Sequence, residues 1–194
     1  MSSAKLGRWG GFAAILGGVL EIVVAGLSRP GPPSLTFAGQ ATYETAILMS
    51  VAGGPLFAAG LVGLYAGLAG GTGRSRFAKG LGMAGLILAG LAALAPLAFL
   101  LQVMTIGTVV PAHSLFVSAV FFLGLWGLPL ATMLLGVVAL RSRALGYWKA
   151  LPLVLGVSMV LEVPYMVLGF GWLLLGYVLW SSQTGKVSQP THAH

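Results

Sequence analysis

The sequence predicts an all-α integral membrane bundle: six transmembrane helices in three hairpins, with the N-terminus in the cytoplasm. Three observations carry that prediction. Only 7% of the 194 residues are charged, while 58% are hydrophobic; a soluble domain carries about 25% charged residues. So few charges cannot cover a globule with polar surface, which leaves a lipid-embedded chain. The apolar residues form continuous runs of roughly 20 residues, the length of a membrane-crossing helix and not the alternating ten-residue segments of a barrel. Finally, the Lys and Arg residues cluster in every second connection between runs, as topology determinants do.

The first run covers residues 9–27, behind Lys5 and Arg8. Its charged lead could pass for a signal peptide, but Glu21 interrupts the apolar core and the small-residue cleavage pattern is poor, so an uncleaved first span is expected. After the Pro- and Gly-rich "SRPGPPSLTFAGQ" comes a second run, 44–68, which ends in the basic "AGGTGRSRFAKG". The third run is 81–104 and the fourth 115–140, closed by "RSRALGYWK". Arg74, Arg76 and Lys79 thus follow the second run, and Arg141, Arg143 and Lys149 the fourth. The opposite connections carry only Arg29 and the titratable His113. That alternation places the N-terminus inside.

The last apolar stretch, 150–180, raises the question of span number. As one helix it would reach roughly 46 Å at 1.5 Å per residue, against a hydrocarbon core of about 30 Å. It would also hold Glu162 near mid-membrane, where a charge costs at least ~2.5 kcal/mol. A hairpin removes both difficulties: a first arm over 146–161, a turn at Glu162 and Val163, and a second arm over 164–182. Pro164 suits the first helical position, where its missing N–H costs nothing, and the residue before a proline disfavours helix. The alternative is five spans with a long kinked last helix. Residues 1–182 then form one transmembrane domain, and the polar segment 183–194 lacks a hydrophobic pattern and is expected to be a disordered tail. Pro55, Pro96, Pro129 and Pro152 lie inside runs and are expected to kink them.

Two echoes fit hairpins in series. "RSR" recurs at 74–76 and 141–143, and "VLEI" at 19–22 resembles "VLEV" at 160–163. Small residues are spaced for close helix contacts: Gly63 and Gly67 in the second run, and Gly17 and Gly18 one turn after Ala13 and Ala14 in the first.

The net charge of +7 comes from ten Lys and Arg against three acidic residues. The basic residues sit at run boundaries, so the expected partner is the lipid bilayer and not nucleic acid. With no Cys, disulfides, Cys-ligated metals and thiol catalysis are excluded. The sequence holds no HExxH, GxSxG, Walker A or CxxC pattern, and no cofactor or metal site is expected.

The acidic residues define the candidate site. Glu21 and Glu162 each fall roughly 18–20 Å from the cytoplasmic start of their runs, in the outer half of the membrane. Glu44 opens the second run at the outer surface, Gln102 closes the third near it, and His113 and Arg29 lie in outer connections. These six residues outline an outward-facing polar pocket. Intramembrane carboxylates mark functional sites by default, and two adjacent ones could share a proton. The structural alternative reads Glu44 as a favourable N-terminal helix charge, Glu162 as a turn residue, and Glu21 as hydrogen-bonded to a neighbouring helix. No turn accounts for Glu21, which makes it the sharpest candidate.

"GRWGGFAAILGGVL" near the start and "GFGWLLLGYVLW" near the end resemble segments of small polytopic bacterial membrane proteins of unknown function, about 200 residues long with roughly six spans. The resemblance implies the six-span architecture and neither an activity nor site residues. The function expected first is a non-catalytic structural or accessory subunit of a membrane complex, multi-pass in the cell membrane. It would contact other subunits or further copies through its small-residue faces. The alternative is a small transporter or ligand-binding protein using the pocket around Glu21 and Glu162.

Overall fold

In the computed structural model, residues 3–27, 49–69, 76–106, 115–142, 145–161 and 163–184 are described. Among them are six α-helices and no strand. Helix α1 is Ser3–Leu27. Helix α2, Gly54–Ala69, continues from a π-helical segment, Met49–Gly53. Helix α3 is Arg76–Ile106 and α4 is Leu115–Arg141. A 3₁₀ turn, Gly146–Ala150, leads into α5, Leu151–Val160, and α6 is Tyr165–Thr184. Three stretches are long and apolar enough to cross a membrane: Ser3–Gly26, Val51–Ala69 and Arg76–Ala98. The shorter apolar stretches are Trp126–Arg141, Gly146–Val160 and Met166–Ser182.

Glycine contacts give the helix directions. Gly10 meets Gly63 and Gly17 meets Phe57, so α1 and α2 run antiparallel. Tyr65 lies on Gly82 and Ala93 near Gly54, which reverses α3 against α2. Gly85 faces Ala131 and Leu135 while Gly127 faces Ala92, reversing α4 against α3. Gly136 abuts Leu153 and Gly156 abuts Met133, reversing α5 against α4. The ring closes through α1 and α6, where Gly11 meets Gly176 and Gly18 meets Gly169. This closing contact is the most extensive among the described residues, and α2 leans inward from the ring to touch α1, α3, α4 and α6.

The glycines permit this packing because backbones touch directly. A Cβ at Gly18 would lie 2.6 Å from the Gly169 carbonyl oxygen. Where water is absent, helices associate through such close van der Waals contact. The small-residue motif of the first run is thus used within the chain. The core between the helices is filled by Leu61, Leu64, Leu68, Leu135, Leu175, Leu179 and Trp172, all fully buried. Thr132 is accommodated there by donating its hydroxyl to the Leu128 carbonyl, 2.8 Å away.

The last apolar stretch folds back on itself. Leu155 of α5 packs onto Gly171 of α6; one continuous helix would hold them about 24 Å apart. Helix α5 is closed by a hydrogen bond from Val163 N–H to the Ser158 carbonyl, 3.1 Å, the six-to-one bond of a Schellman end. The Pro164 carbonyl then accepts from Val167 (2.8 Å) and Leu168 (3.3 Å), opening α6. This overturns the alternative of one kinked last helix. Pro164 stands one residue before the first helical position, where its missing N–H is again no loss. The short first arm gains length from the 3₁₀ turn, which rises about 2 Å per residue against 1.5 Å in α-helix.

One of the four prolines does not interrupt a helix as expected: Pro152 is at the start of α5, a position that needs no N–H donor. Pro55 follows directly on the π segment from which α2 continues, so the regular α pattern is interrupted just before it. Pro96 and Pro129 do lie inside α3 and α4. Helix α6 runs to Thr184; residues 185–194 lie outside the described ones.

With neighbours alternating in direction, the basic residues gather at one end: Lys5 and Arg8 on α1, Arg76 and Lys79 on α3, Arg141 on α4, and Lys149 ahead of α5. Two guanidinium groups stack on rings there and tie helix ends together. Arg8 is 4.8 Å from the Trp180 ring centre and Arg141 is 5.0 Å from that of Phe77.

Candidate functional site

Helix α1 turns one face toward the junction with α2 and α6. That face carries Ala14, Gly17, Glu21 and Val24 at the three- and four-residue spacing of a helix stripe. Glu21 is 3% exposed, so its carboxylate is inside the bundle. Gly169 on α6 lies against it: a Cβ there would be 3.2 Å from the Cβ of Glu21. Its Oε2 is buried and accepts no hydrogen bond from the described residues. Buried polar atoms in folded proteins nearly always have a partner, so this oxygen calls for an explanation.

The same junction holds a second such atom. Trp172, three residues beyond Gly169 on α6, is wholly buried and its ring stacks on Phe57 of α2, with centres 4.6 Å apart and planes at 28°. Phe57 sits beneath Gly17, whose missing side chain makes room for the ring. The Trp172 Nε1–H is buried and donates to no described residue, although buried indole N–H groups usually find an acceptor. Sequence reading overlooked Trp172, because a tryptophan in an apolar run reads as packing or as an interfacial anchor. The available signal was its depth, eight residues inside Trp180, together with flanking Gly169, Gly171 and Gly176.

Of the six residues expected to outline a pocket, Glu21 alone has a described side chain. Gln102 falls in the last turns of α3. Glu162, Glu44, His113 and Arg29 lie outside the described residues.

Two concavities lie elsewhere. A groove of about 390 Å³ runs along the outside of α1 and α2, past Trp9, Gly10, Ala13, Leu56 and Ala59. A pocket of about 50 Å³ sits among Tyr65, Leu68, Ala78, Lys79 and Val138. Neither reaches Glu21. Among the described residues no three His, Cys, Asp or Glu side chains come together.

The junction can therefore offer one carboxyl oxygen and one indole N–H to a small guest, against a stacked pair of aromatic rings. Comparison with protein-family models, with curated proteins and with solved structures gives no match to this chain.

Proposed function

We propose that this chain is a multi-pass protein of the cell membrane, crossing six times as three hairpins with its basic end in the cytoplasm, and that it binds or carries a small ligand at an interior site centred on Glu21. The observation that supports the ligand reading is the burial of Glu21 at the α1/α2/α6 junction with Oε2 unpartnered by the described residues. A carboxylate inside a membrane bundle is costly and persists where it works. The basic end supports the orientation, since Lys and Arg are retained on the cytoplasmic side. The test is Glu21→Gln in a host lacking the native gene. Loss of the transport, binding or growth phenotype that the wild-type chain restores is expected; full restoration by the variant would remove this reading.

A second reading, an accessory subunit of a larger membrane complex, draws on α3. Met83, Ile87, Leu91, Leu94, Leu97 and Leu101 are all exposed along this helix, a flank that suits either lipid or a partner helix. A fixed companion recovered in equal amount after mild solubilisation would favour it.

A further inference from the structure

Glu21 and Trp172 have more in common than burial. Helical side chains lean toward the N-terminus of their own helix. On antiparallel neighbours the leans oppose each other, so Glu21 tilts toward the level of Gly17 and Gly18 and Trp172 toward that of Leu168 and Gly169. Gly18 and Gly169 are in backbone contact. The two polar heads therefore approach one level of the same junction, each lacking a partner among the described residues.

Their chemistry restricts what can satisfy both. An indole N–H only donates, whereas a carboxyl oxygen accepts. A bare cation would pair with Glu21 and leave the indole unmet, and an anion would face the carboxyl. A hydroxyl group meets both demands: its oxygen accepts the Trp172 N–H and its hydrogen goes to Glu21 Oε2. We propose that the α1/α2/α6 junction is a hydroxyl-binding site in which Trp172 and Glu21 hold one O–H group between them. Its source is either an ordered water, which characteristically bridges buried polar atoms, or the hydroxyl of a small neutral ligand. This inference rests on the reading of Glu21 as the working site and names the ligand chemistry of that site.

The test uses the full chain in lipid nanodiscs with ¹⁵N-labelled tryptophan, where five indole N–H resonances are expected from the five Trp residues. Trp172→Phe identifies one peak by its loss. If that variant does not fold, single Phe replacements of the other four identify it by elimination. Glu21→Gln should displace the Trp172 peak well beyond any shift of the other four. A cross-peak between Trp172 N–H and the water resonance identifies water as the source. No such cross-peak, with a Trp172 shift on titrating glycerol that is lost in Glu21→Gln, identifies a ligand hydroxyl. A Trp172 resonance indifferent to Glu21→Gln, to water and to glycerol overturns the proposal. Coupled resonances with a silent Glu21→Gln phenotype would remove the ligand-carrying function and leave the hydroxyl site standing. The reverse pattern would remove only the hydroxyl site.

Discussion

At the scale of single residues, the junction depends on one large aromatic side chain and one carboxyl group. Phe57 fills the space that Gly17 leaves open, and Trp172 stacks on Phe57. Truncation to Ala removes the stack and opens a cavity, which costs about 3–5 kcal/mol. Trp172→Phe retains a ring against Phe57 and should cost less. Thermal unfolding of the solubilised protein ranks the two; equal midpoints would show that the stack contributes nothing. Glu21 could be picked out in the sequence because a charge in a 19-residue apolar run has no local excuse. Trp172 could not, because its significance lies in an unmet N–H that only the packing of three helices reveals. Nothing in the order of residues says that Phe57, more than a hundred positions away, takes the face of its ring.

At the scale of elements, the hairpin of α5 and α6 was readable from length and proline placement, since 31 apolar residues overshoot the membrane and Pro164 prefers a helix start. The Leu155–Gly171 contact bears this out. Because the chain contains no Cys, Leu155→Cys combined with Gly171→Cys should oxidise to an intramolecular disulfide, seen as a mobility shift reversed by reductant. Bridged Cα atoms must lie within about 7 Å, so failure to cross-link would revive the single long helix. The glycines divide into two groups that sequence does not separate. Gly18 touches the α6 backbone, while Gly90 has open space where a side chain would go. Gly18→Ala should therefore destabilise by about 1–3 kcal/mol through overpacking. Gly90→Ala should be neutral or stabilise by up to about 1 kcal/mol, as Ala is the better helix former. Unfolding midpoints of the two variants against wild type measure the difference. Entry to α2 escaped sequence reading for a related reason: "VAGGPLF" reads as mid-helix with a kinking proline, yet a π segment ends there. Its wider turn and the absent proline N–H fit each other.

At the scale of the molecule, the alternation of basic residues was legible and ring closure was not. Short-range patterns carry no information about which distant helix α1 will choose. The one hint lies in matched spacing, since Gly11 and Gly18 stand seven apart, as do Gly169 and Gly176, and they pair in reverse order. Closure brings both described ends of the chain to the basic end, where Arg8 lies over Trp180. A topology reporter fused after Thr184 should accordingly give the same cytoplasmic signal as one placed before Ser3. Signals on opposite sides would sink the six-span proposal.

The closing contact also sets a timetable for assembly. The most extensive helix pairing among the described residues joins α1 to the last helix, with about 150 residues between Gly18 and Gly169. At about 5–20 residues per second, a ribosome takes roughly 8–30 s to cover that distance. Even after α2 has joined it, α1 keeps its α6-facing flank uncovered for the rest of that interval, with Glu21 and two glycine contact points open to whatever surrounds the nascent chain. A newly made molecule is thus open to mispairing along that flank until α6 emerges to cover it.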